Sequence, residues 1–166
     1  IEIRPIQQIT GHSEFSEAST WISATVGVHP HDAKDLDDPL CDAIRAAGSD
    51  STVVAIGETG LDFHYDHSPR EVQIEAFRKQ VAIAKELRKP LVIHTRSAPT
   101  ETLQVLREER AVDVGGIIHC FSEDAPFAAA ALDLGFISSF SGIVTFSKAV
   151  EVQEAARKQP ADALLV

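Results

Sequence analysis

Only two cysteines, Cys41 and Cys120, occur in the 166 residues. That is too few for a disulfide framework and is the usage expected of a reducing cytoplasm. No apolar run approaches the roughly 20 residues that span a bilayer. The opening IEIRPIQQIT lacks a charged segment followed by an apolar one, so no secretory signal is read there. Positive charge is scarce as well, with 15 Lys and Arg against 25 Asp and Glu and a net charge of −10. Phosphate backbones are normally met by a basic surface, so this balance argues against nucleic acid held by surface charge alone. It leaves open an enzyme whose divalent cations neutralise acidic ligands and substrate phosphates together. Low-complexity segments and internal boundaries are also lacking, and residues 1–166 read as one domain with a sizeable core.

Present instead is a rhythm. From residue 25 onward a short apolar run is followed by a polar loop and a longer amphipathic stretch. The apolar runs are 25–28, 53–57, 91–93, 116–118, 136–140 and 163–166. They are rich in Val and Ile and apolar at consecutive positions, which suits parallel strands buried on both faces. The stretches between them predict helices. Ser68 and Pro69 read as an N-cap and a first helical position. Phe77, Val81, Ala84 and Leu87 then recur on one helical face, and Pro90 stops the helix before the next strand. Segments 100–109, 125–134 and 147–158 behave alike. Six strands alternating with five helices give an α/β architecture, either an open doubly wound sheet or a barrel. Residues 1–9 read as a strand remnant, and 11–23 as a loop or poor helix.

The strand ends carry the chemistry. The run 53–57 leads into Glu58, 91–93 into His94, 116–118 into His119 and 25–28 into His29. Active sites of parallel α/β folds are assembled at this C-terminal end, and imidazole with carboxylate suits Zn²⁺, Mn²⁺ or a similar ion. One His or Glu at such a place is ordinarily a hydrogen-bonded structural residue or a cap. Three in register on successive strands point to a metal centre. His29 and His31 flank Pro30, which cannot donate to a ladder and marks the strand as already ended. His29 is therefore expected at an active-site wall or a substrate phosphate, and His31 in a loop. Arg96, two residues beyond His94 on the same face, is a candidate phosphate contact. His64 and His67 lie in the loop after Glu58, near Asp62 and Tyr65. Asp32, Asp35, Asp37 and Asp38 are expected to cap or flank a helix, and Cys120 to pack. Neither a Ser nor a Cys sits beside a candidate base in a nucleophile elbow.

Five segments, VGVHPHDA at 26–33, AIGETGLDFHY at 55–65, PLVIHTRSA at 90–98, GIIHCFS at 116–122 and GFISSFSGIVTF at 135–146, together resemble the TatD family of deoxyribonucleases. Order, composition and intervals agree over roughly residues 25 to 166, and five linked motifs are far more specific than any one. The resemblance implies a TIM-type (β/α) barrel with divalent metals, two per complete site and of the Mg²⁺, Mn²⁺ or Zn²⁺ class, at its C-terminal face. It implies Glu58 as a metal-bridging catalytic carboxylate and His94 and His119 as ligands. The family's activity is hydrolysis of DNA phosphodiesters, commonly from the 3′ end in the cytoplasm, with DNA as substrate and no membrane. Two family elements have no counterpart here: an HxH on the first strand, and an Asp in an ETDSP-like segment after the last. The barrel is accordingly expected to be incomplete, with about six of eight strands, and such a piece to self-associate. Competing readings are another barrel metal hydrolase acting on a small ester, amide or phosphotriester, and an inactive fragment.

Overall fold

The computed structural model describes residues 23–166, so the expectations for 1–9 and for all of 11–23 but Ser23 lie outside the described residues. Among the described residues there are six strands: β1 (Ala24–Val26), β2 (Val53–Asp62), β3 (Leu91–Arg96), β4 (Gly116–Ile118), β5 (Phe136–Ser139) and β6 (Leu164–Leu165). Five α-helices alternate with them: α1 (Asp38–Gly48), α2 (Arg70–Leu87), α3 (Pro99–Glu108), α4 (Ala125–Asp133) and α5 (Val150–Lys158). All neighbouring strands are parallel, and their order in the sheet is their order in the chain. A doubly wound sheet reverses direction at a switch point; this one never does, so the winding is that of a (β/α) barrel.

Local chemistry explains the starts of two helices. Asp37 and Asp124 cap α1 and α4, accepting from the Leu40 and Phe127 amides at 2.9 and 2.8 Å. Helix α2 starts differently from the expectation. It has no side-chain cap, because the Ser68 hydroxyl is engaged elsewhere: it donates to the His31 carbonyl at 2.8 Å and accepts from the Lys34 amide at 3.2 Å. Tertiary closure of two loops has taken the oxygen that a local cap would use. On α2, Phe77, Val81 and Ala84 are fully buried, as their spacing predicts.

The sheet faces are less uniform than consecutive apolar runs imply. Along β3, Leu91, Ile93 and Thr95 are buried, whereas Val92, His94 and Arg96 are only half-buried. Thr95 Oγ1 meets Thr102 Oγ1 of α3 at 3.1 Å, which identifies the helix-covered face. The period of two then puts His94 and Arg96 on the inner face. No helix among the described residues is long and apolar enough to cross a membrane.

Candidate metal centre

Strand β2 does not stop at Glu58. Its pairing with β3 shifts register between Ile56 and Thr59 and then resumes, setting Gly60 opposite His94 and Asp62 opposite Arg96. Gly60 is what allows the approach. Its φ is +133°, and a Cβ there would lie 2.0 Å from the His94 carbonyl oxygen. The extension matters because Glu58, Gly60 and Asp62 share a face, so one strand delivers two carboxylates to His94.

His29 arrives from β1. After Val26 the chain leaves the ladder, and the buried Gln80 side chain of α2 takes the place of a neighbouring strand. Its Oε1 accepts from the Val28 amide at 2.7 Å and its Nε2 donates to the Val28 carbonyl at 3.0 Å. His29 then caps a short 3₁₀ turn, Pro30–Asp35, with Nδ1 accepting from the His31 amide at 3.3 Å.

One donor atom from each of His29, Glu58 and His94 falls within 4.8 Å of the others. Metal–ligand bonds of about 2.0–2.2 Å put the donors of one ion no more than about 4.4 Å apart, so the triad is close to a closed coordination set. Two nitrogens and a carboxylate oxygen suit Zn²⁺, Mn²⁺ or a similar ion. His119 follows β4 and lies near enough to Glu58 for its charge to act on that carboxylate, but it is outside the group of three. His29, expected at substrate, thus stands in the candidate ligand group, while His119, expected as a ligand, stands beside it. Cys120 does not pack. It is exposed at φ +46°, its Sγ 3.3 Å from His119 Nε2, because β4 ends at Ile118 and a left-handed turn swings it outward.

Asp62 is the residue that the motif reading passes over. Its side chain is 1% exposed and receives four donors: His31 Nε2 at 2.9 Å, His94 Nε2 at 3.0 Å, and the amides of His64 and Tyr65 at 3.0 and 2.9 Å. Burial works against its charge, but the Tyr65 amide, the two imidazoles and the His64 amide outweigh it and hold the carboxyl at about 2. An ionised carboxylate only accepts, so His94 Nε2 carries the proton and Nδ1, 3.5 Å from Glu58, is the atom left to face a cation. This is the carboxylate–histidine–metal arrangement that orients a ligand and raises its basicity. Gln73 of α2 holds the same corner, accepting from the Asp62 amide at 2.8 Å and donating to the Asp62 and Ser68 carbonyls at 3.1 and 2.8 Å. His31 is therefore a bonded member of the site, not a free loop residue. The available signal was Asp62 itself, four residues beyond Glu58 on one strand.

Charges in the cluster are mutually tuned. Burial pushes the Glu58 carboxyl up, yet the His94 contact and the charges of His119, His94 and His29 bring it below the ordinary range. For His94, burial is overcome by bonding to Glu58 and Asp62, and its value rises. For His29, burial and the neighbouring His94 lower it. Two carboxylates thus favour the protonated form of His94, and a divalent ion is the natural replacement for that proton.

The family model described as TatD related DNase matches residues 7–166. YcfH of Escherichia coli strain K12, named an uncharacterized metal-dependent hydrolase, is 47% identical over 143 residues, covering 84% of this chain and 52% of that protein. A Klebsiella pneumoniae protein named 3′-5′ ssDNA/RNA exonuclease TatD is 35% identical, covering 86% of this chain and 55% of its own length. The crystal structure of YjjV, a TatD homologue from Escherichia coli K12, superposes with a TM-score of 0.83 at 25% identity, covering 92% of this chain and 60% of that one. The chain spans little more than half the length of these proteins. Its sheet order and its matched segments agree: the chain belongs to the TatD-related DNase family.

Proposed function

We propose that this polypeptide forms the core of a divalent-metal-dependent hydrolase that cleaves DNA phosphodiester bonds, acting from a 3′ end. The observation that carries the reading is the convergence of His29, Glu58 and His94 donor atoms within 4.8 Å at the C-terminal ends of three parallel strands. The Klebsiella relative named as a single-strand exonuclease supports the substrate class.

Glu58, His94 and His29 would hold one divalent ion, and His119, at the end of β4, would contribute to a second. A bound divalent ion supplies Lewis acidity to a phosphate oxygen and lowers the pKa of attacking water. The residues of the chain do the rest. Asp62 fixes the His94 ring and keeps its proton on the outer nitrogen. Glu58, held ionised, offers a formal negative charge against which cations assemble. Arg96, on the same inner face as His94, is available to a phosphate of the substrate strand. Measuring hydrolysis of a single-stranded oligonucleotide by the full natural polypeptide, with and without chelator, tests the reading. Activity should require a divalent metal and be lost in Glu58→Ala; cleavage by that variant at the parental rate would remove Glu58 from the mechanism.

A further inference from the structure

Outward of Asp62, His31 and Arg96 adjoin two side chains that the metal centre does not use, Tyr65 and His67. Tyr65 is 50% exposed. Arg96 lies over it, its guanidinium carbon 4.8 Å from the ring centroid and Nη1 3.4 Å from the phenolic oxygen. The His67 ring is parallel to Tyr65 within 7°, with centroids 5.7 Å apart. His31 meets both edge-on, at 5.6 and 4.6 Å. Among the described residues Arg96 makes no ion pair, whereas Arg45, Arg70 and Arg78 each engage a carboxylate. A guanidinium without a carboxylate, in a chain with ten more acidic than basic residues, is electrostatically available to an anion.

The cluster is held in place. Asp62 fixes the His31 ring and the His64 and Tyr65 amides, and Ser68 ties the far end of the loop to the His31 backbone. Flat rings beside a cation are what a single strand stacks on, because every base has a π-face and every linkage a phosphate. The cluster also adjoins the candidate metal centre, since the His31 ring lies 4.4 Å from His29 and 6.2 Å from His94.

We propose that Tyr65, His67 and Arg96 form a subsite for one nucleotide of a single strand next to the phosphate undergoing hydrolysis, Tyr65 and His67 stacking its base and Arg96 pairing with its phosphate. The proposal rests on the hydrolase reading above and adds to it the residues that grip a neighbouring nucleotide. It divides the work between two contacts that respond to different probes. A base contact distinguishes a normal strand from an abasic one; a phosphate contact sets the dependence of affinity on salt.

The test is equilibrium binding, by fluorescence anisotropy, of a phosphorothioate single strand and an abasic strand of equal length to the full natural polypeptide with Mg²⁺. The parent should bind the base-bearing strand on the order of tenfold more tightly. Tyr65→Ala should erase that preference and leave the salt dependence as it was, while Tyr65→Phe restores the preference. Arg96→Gln should keep the preference but reduce the slope of log affinity against log salt by about 0.7, the value for one phosphate on a single strand. Equal preference in parent and Tyr65→Ala overturns the proposal, as does a joint loss of preference and slope in both variants, which a collapsed loop would give. Hydrolysis of an unmodified strand separates the two readings. A parent that stacks through Tyr65 but cleaves nothing keeps the subsite and loses the hydrolase, and the reverse result keeps the hydrolase alone.

Discussion

The two halves of the sheet are built to different ends. In the first, β2 and β3 run ten and six residues and stay paired past the apolar core as far as Asp62 and Arg96. In the second, β4, β5 and β6 have three, four and two residues; Phe136 opens β5, Phe121 and Phe140 lie just past the ends of β4 and β5, and all three are buried. The first half carries polar chemistry on the continuation of its strands; the second, His119 apart, is packed with buried aromatic rings. The sheet is continuous, yet the site and the bulk of its support belong to three strands and one helix, α2.

That contrast predicts separable damage. The largest effect is expected from Glu58→Ala, which should lower metal-dependent hydrolysis by more than about a hundredfold with little change in the unfolding midpoint of the metal-free protein. Phe136→Ala, in the other half, should do the opposite: a cost of about 3–5 kcal/mol in chemical denaturation, from a side chain that is fully buried in β5, with metal affinity of the folded fraction retained. If Phe136→Ala weakens metal binding in the folded protein, the division is wrong.

Asp62→Asn sits between the halves in magnitude. Loss of the charged acceptor should weaken metal binding by about 10–100-fold in calorimetric titration. The ionised Asp62 also stabilises the fold. Its carboxyl is held at about 2 against an ordinary 3.8, so the contribution is complete above 3.8 and is lost as pH falls through 2. The shift corresponds to about 2 kcal/mol, visible as a loss of stability between pH 4 and 2 that Asp62→Asn should not show. His94 has the opposite sign. Raised above its ordinary 6.5, it favours the metal-free fold fully below 6.5 and ceases to do so as pH rises through its folded value. Metal affinity should therefore fall on acidification at a higher pH than an isolated imidazole would give, and titration at several pH values checks it. The smallest effect is assigned to Asp37→Ala, which removes the cap of α1 at about 1 kcal/mol and should leave metal binding untouched.

Much of this was legible from residue order. Short apolar runs marked all six strands, and Glu58 and His94 directly followed two of those runs. What escaped did so for a common reason: the deciding partner was distant in sequence. Nothing local says that β2 continues beyond Glu58, because Gly60 reads as a turn residue until β3 is laid against it. Ser68 has the sequence of a cap and is captured instead by His31, 37 residues away. His31 reads as a loop residue until Asp62 closes on it. Pattern reading finds what faces the core; it does not find which polar groups close on one another.

The two buried glutamines of α2 have a mechanical consequence. Gln73 and Gln80 are seven residues apart, two turns on one face, about 10 Å along the axis. Each engages both the amide and the carbonyl of one residue, Asp62 and Val28 respectively. The helix thus acts as a gauge bar: the separation of the end of β2 from the segment that follows β1 is copied from the pitch of a rigid rod. The spacing of Val28 and Asp62, and with it the placement of His29 beside the Asp62 corner, is thereby set by one helix.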